Sequence, residues 1–73
     1  MEHATAQQVE IIMRDVRERL NESIKIVMNS SDPDEFHRYR RQIGKVMGEI
    51  FLEIQQPIYD EHPDLTPSSL RSD

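Results

Sequence analysis

No glycine or proline occurs in residues 1–32, and this constrains the fold more than any other feature of the chain. Across the stretch, Val9, Ile12, Met13, Val16, Leu20, Ile24 and Val27 recur at spacings of three and four. At about 100° per residue they fill an arc of roughly 120°, one face of an α-helix. Only Ser23 interrupts that arc. Thr5 followed by Gln8 fits a capping box at the helix start. Glu10 with Arg14, and Asp15 with Arg19, are acid-first pairs four residues apart and belong on the solvated side. The expected helix covers about 5–28, preceded by a flexible N-terminus at 1–4.

Asn29-Ser30-Ser31 breaks the pattern, because short polar side chains compete with the helical backbone for hydrogen bonds. Asp32-Pro33-Asp34-Glu35 then reads as a helix start. Asp32 can cap, proline suits the first helical position, and Asp34 and Glu35 put negative charge at the positive end of the helix dipole. Phe36, Tyr39, Ile43, Val46, Met47, Ile50, Phe51, Ile54 and Ile58 follow, over a wider arc of roughly 160°. Pro57 lacks a donor and clashes with the preceding turn. The second helix is therefore expected over about 33–56, kinking onward to Tyr59. Two helices of similar length joined by a short loop make an antiparallel hairpin over 5–59. Residues 60–73 carry Asp60, Glu61, Asp64 and Asp73 among prolines and serines, and are expected to be a largely disordered acidic tail.

Size and composition narrow the functional classes. A chain of 73 residues buries little apolar surface alone, and such chains rely on disulfides, metals or partners. There is no cysteine, so disulfides, thiolate metal sites and cysteine nucleophiles are excluded, and a cytoplasmic setting is expected. Mean hydropathy of −0.73 argues against a membrane span. The net charge of −5 runs against nucleic-acid binders, which usually carry a basic excess.

The second helix offers more apolar surface than one neighbour can cover. One seam runs Phe36, Tyr39, Ile43, Val46, Ile50; another runs Gly44, Met47, Phe51, Ile54, Ile58. Two seams call for two neighbours, and the economical second neighbour is another copy of the hairpin, giving a homodimeric four-helix bundle. The competing solution is a monomer whose own tail covers the second seam. Gly44 and Gly48 each cost about 1 kcal/mol relative to alanine inside a helix, which suits close approach by another helix. Arg40 falls within the apolar arc, so it reaches the rim with its stem packed or meets a carboxylate across an interface. The candidate interface is therefore Arg40, Gly44, Met47, Gly48, Phe51, Ile54 and Ile58.

Catalytic and metal chemistry find little support. His3 and His62 sit near the chain ends, and His37 follows Asp34 by three residues only once, in a first turn. No nucleophile–base ordering or phosphate loop occurs. No cofactor, metal or small-molecule substrate is expected, and catalysis is not. Arg38, Arg41 and Lys45 form a solvated stripe that could contact phosphates if a dimer presented two of them. The expected function is a non-catalytic protein–protein interaction module: an adaptor, chaperone-like partner or regulator. It would act through the apolar face of the second helix, on a second copy or another helical protein. A nucleic-acid-binding regulator using Arg38, Arg41 and Lys45 is the alternative.

Overall fold

The structure, a computed structural model, describes residues 1–68. α1 (His3–Ser30) and α2 (Pro33–Ile50) form the hairpin, and α2 runs on through a π-helical turn (Phe51–Gln55) into α3 (Gln56–Glu61) and a 3-10 turn (Pro63–Leu65). Among the described residues there is no strand. The all-α hairpin is the one the two periodic segments predict.

The loop forms as the local chemistry dictates. The Ser31 amide donates to the Val27 carbonyl at 3.0 Å and closes α1. The Asp32 carboxylate accepts from the Glu35 amide at 2.9 Å, with Pro33 opening α2 and Asp34 and Glu35 in its first turn. The start of α1 differs from expectation. It begins at His3 with Glu2 at the cap position and no side-chain cap, so the Thr5/Gln8 capping box does not form and residues 1–4 are not a loose end. The first turn is held instead by tertiary contacts. The N-terminal ammonium lies 3.1 Å from Glu61, His62 Nε2 lies 2.9 Å from the Met1 carbonyl, and His3 Nε2 lies 2.6 Å from Asp64. The His3 and His62 rings meet edge-on at 5.2 Å.

The π-turn decides how the far end packs. A proline ring clashes with the carbonyl four residues before it, here Glu53. The wide turn at Phe51–Gln55 lies where that clash would fall and lets the helix continue past 56 to Glu61. A π-turn is in effect one inserted residue, so every later side chain shifts by one position, about 100°. In an uninterrupted helix Ile54 would face α1 and Gln55 would point aside. The structure has the reverse: Gln55 is fully buried and Ile54 is exposed. Ile58 and Tyr59 turn inward with Gln55.

The core consists of Ala6, Ile58 and Tyr59, with Val9, Phe51 and Leu65 packed against it. It sits at the terminal end of the hairpin, where residues expected in a disordered tail fold back onto α1. Residues 60–68 are thus structured as far as they are described, and 69–73 lie outside the described residues. Over residues 11–50 no side chain is buried: the seam positions are half-buried and most of the others are exposed. The molecule is a rod of 44 × 25 × 18 Å with a radius of gyration of 14.6 Å, against about 11 Å for a compact domain of this length.

Candidate docking face

Two sets of polar contacts mark the two edges of the hairpin seam. On one edge, Tyr39 Oη donates to Ser23 Oγ at 2.9 Å, and Ser23 donates to the Leu20 carbonyl at 2.6 Å. On the other lies a buried polar network. Glu10, expected on the solvated side, is only 1% exposed. Arg14 grips it with Nε at 3.1 Å and a terminal nitrogen at 2.6 Å. Tyr59 Oη donates to the same carboxylate at 2.9 Å, Gln55 donates to Tyr59 Oη at 3.2 Å, and Arg17 donates to Gln55 at 3.2 Å. The Arg17 guanidinium also stands 5.7 Å from the centre of the Phe51 ring, while its Nε is buried without a hydrogen-bond partner. The Asp15–Arg19 pairing is not among the ion pairs; Arg19 reaches Glu22 at 3.3 Å instead.

This network is a clamp that ties α3 to α1. Burial first, and then the hydrogen bond to Glu10, push the Tyr59 phenol up to about 12. The same carboxylate raises Arg14 through its hydrogen bond. Both Glu10 oxygens are already occupied by charged or hydroxyl donors. A buried carboxylate is tolerated only when so satisfied. At the surface, the N-terminal ammonium holds Glu61 below its ordinary value, and the hydrogen bond with His3 does the same for Asp64. Among the described residues no group of three or more His, Asp or Glu is arranged to hold a metal.

The edge marked by Ser23 and Tyr39 is apolar and open. Ile12 precedes Ser23 by three full turns, and Ile26 follows it by one near-turn, so both lie on this side of α1. Val46 follows Tyr39 by seven residues. With the inserted residue counted, Ile54 takes the place a further seven on. Ile12 is 57% exposed, Ile26 66%, Val46 46% and Ile54 39%, while Ile11, Met28 and Leu52 are exposed on other sides of the hairpin. At its terminal end a shallow depression of about 250 Å³ is lined by Met1, Ile54, Pro57 and Ile58, with Glu53 and Glu61 beside it.

The structure distributes the seven candidate interface residues differently from the two-seam reading. Ile58 is in the chain's own core, and Phe51 and Met47 are half-buried. The π-turn has rotated Ile58 inward, so it is not an external anchor in this conformation. Part of the second seam is thereby covered from within, by the fold-back. Arg40 is exposed and lines a shallow polar depression of about 320 Å³ with His37 and Arg41. Gly44 and Gly48 lie toward the edge of the polar network, and a Cβ on either would meet nothing within 4 Å. Of the seven, Ile54 alone lies on the open apolar flank. Ile12, Ile26 and Val46 were not singled out by the sequence. Ile12 and Val46 were assigned to the hairpin's internal seam, and Ile26 lies outside the periodic stripe. Arg38, Arg41 and Lys45 are exposed on the back of α2.

The fold and this flank define a class, the small all-α helical hairpin with one uncovered apolar side. Compared with protein-family models, curated proteins and solved structures, the chain matches none. No helix of the described residues is long and apolar enough to cross a membrane.

Proposed function

We propose that this chain is a non-catalytic protein–protein interaction module whose docking face is the flank of Ile12, Ile26, Val46 and Ile54, shared by both helices. The observation that carries the reading is that these four side chains are exposed and share one edge by their helical spacing, across from the polar network of Glu10, Arg14, Arg17, Gln55 and Tyr59 at the terminal end. Two helices about 10 Å apart, over a length of about 36 Å, present about 700 Å² to a partner. Stable complexes bury roughly 800 Å² per side. An adaptor or regulator working by association needs no more than such a face.

Val46→Asp tests this directly. In the single hairpin Val46 is almost half exposed, so an aspartate there costs the fold little. In a closed apolar interface it is a desolvated charge and costs several kcal/mol. Light scattering after size exclusion should show a multimeric mass for the wild type and a monomeric one for the variant, with helical circular dichroism unchanged. Equal masses for the two proteins defeat the proposal. Phe51→Asp is the wrong probe, because Phe51 packs on the chain's own core.

One observation favours a second reading. Arg38, Arg41 and Lys45 form none of the ion pairs among the described residues, and Arg41 adjoins the His37/Arg40 depression. A nucleic-acid-binding regulator would use these residues. It requires retention on nucleic acid at low salt, falling steeply as salt rises and lost in Arg38→Glu/Arg41→Glu.

A further inference from the structure

We propose that the depression lined by Met1, Glu53, Ile54, Pro57, Ile58 and Glu61 is a seat for a long basic side chain, lysine or arginine, presented by an amphipathic helix of a partner protein. The aliphatic stem lies on Ile54, Pro57 and Ile58, and the charged head meets the Glu53 carboxylate. The seat shares Ile54 with the docking flank and does not depend on what fills the rest of that flank.

The chemistry of the depression selects the occupant. Glu53 and Glu61 are eight residues apart in the chain, about 12 Å along a helix axis, and Ile54, Pro57 and Ile58 lie between them in sequence. An apolar floor between carboxylates fits a side chain that buries a hydrocarbon stem and keeps its charge at the rim. The chain's own first residue shows this pattern at one pole. The Met1 ammonium lies 3.1 Å from Glu61, and Met1 lines the depression. The other pole is unused: Glu53 enters none of the ion pairs among the described residues. Its helical neighbours three or four residues away are Glu49, Ile50, Gln56 and Pro57, so its own helix offers it no cation.

Among the described residues nothing else internal supplies that cation. Residues 1–13 and 46–68, which build this end of the hairpin, contain no lysine or arginine on any face. The nitrogen groups found there, the Met1 ammonium and the rings of His3 and His62, are set on Glu61 and Asp64. A partner segment bearing acids here would face Glu53 with a like charge, which an interface avoids. Glu53 and Ile54 both belong to the π-turn, a rare wide turn that recurs at functional sites. Without the residue inserted there Ile54 would face α1, and the depression would lose that part of its floor.

The test is fluorescence anisotropy with a labelled amphipathic peptide of about 15 residues made of leucine, lysine and alanine. A second peptide has glutamate in place of lysine, and a third has serine in place of leucine. The leucine–lysine peptide should bind Val46→Asp, whose flank carries a charge, at least as tightly as wild type. Glu53→Lys should weaken that binding at least about tenfold and improve binding of the glutamate peptide. Glu18→Lys makes the same change in net charge and should leave both affinities within about twofold of wild type. The serine peptide should bind at least about tenfold more weakly than its leucine parent. Glu18 and Glu53 are both exposed, so helical circular dichroism should be unchanged in every variant. Equal weakening by Glu53→Lys and Glu18→Lys reduces the effect to attraction by net charge and overturns the seat. Loss of binding in Val46→Asp places the peptide on the flank, which overturns the seat and leaves the docking face standing. Equal affinity for the serine and leucine peptides removes the apolar floor from the interaction and overturns it too. If the leucine–lysine peptide stays unbound at millimolar concentration the seat is refuted, whatever mass the wild type shows by light scattering.

Discussion

Tyr59→Phe isolates the contact that holds the fold-back in place. The substitution keeps the ring in the core and deletes one oxygen. That oxygen donates to the buried Glu10 carboxylate at 2.9 Å and accepts from the buried Gln55 amide at 3.2 Å. A hydrogen bond to a charged group contributes about 1.5 to 3 kcal/mol, and a buried donor left unpaired costs about 1 to 3 kcal/mol. Glu10 keeps both bonds from Arg14, which limits the damage, so the net loss is about 2 to 4 kcal/mol. A chain of this size has roughly 4 to 11 kcal/mol of stability in all, and the melting temperature should fall by about 10 °C or more. The measurement is urea and thermal unfolding at one fixed protein concentration, because association couples to unfolding. Alkaline pH supplies an independent check. The folded phenol keeps its proton up to about 12, against an ordinary 10.0. Between these values the unfolded chain has released a proton that the folded chain retains, so stability falls as pH rises through the window and is full below it. The contribution at stake is about 2 to 3 kcal/mol. The phenylalanine protein lacks it, so the gap between the two proteins should narrow from pH 9.5 to pH 12. Stability within 0.5 kcal/mol of wild type at neutral pH, or parallel alkaline loss in both proteins, would refute the clamp.

Other expectations follow from the same geometry. Gly44→Ala and Gly48→Ala place a methyl in open space and should each stabilise the hairpin by about 0.5 to 1 kcal/mol without changing the assembly's mass; loss of association on either would mean that the interface lies on the glycine edge instead. Asp32→Ala removes the α2 cap and should cost about 1 kcal/mol by chemical denaturation, with no effect on association. Glu61 and Asp64, held low by the N-terminal ammonium and by His3, should titrate below the ordinary carboxylate range in a carbon-detected NMR experiment. Their small stabilising effect is present above that range and fades as pH falls through the lowered values. His3→Ala should return Asp64 toward its ordinary value and leave Glu61 unchanged.

What the chain reveals locally and what it conceals divide along a physical line. Caps, breakers and apolar periodicity act over a few residues, so the body of α1, the Asp32 cap and the start of α2 can be read directly, although α1 runs through Asn29 to Ser30 rather than stopping near residue 28. The exposure of Arg38, Arg41 and Lys45 on the back of α2 follows from the same helical spacing. The fate of Ile54 and Ile58 does not. It depends on how the chain resolves the clash at Pro57, and a kink, a stop and a π-turn are all open to an isolated helix. The pairing of Glu10 with Tyr59, 49 residues away, has no local signal, because a glutamate four residues before an arginine looks like any surface pair.

The sequence alone determined that two amphipathic helices would meet as a hairpin with a charge gradient along its length. Those properties are sums over residues and need no knowledge of neighbours in space. Only the tertiary structure decided which apolar side chains remained uncovered. One inserted residue at the π-turn rotates everything after it by about 100°. That rotation turned Gln55, Ile58 and Tyr59 inward and Ile54 outward, and so determined which apolar side chains at that end of the hairpin were left uncovered.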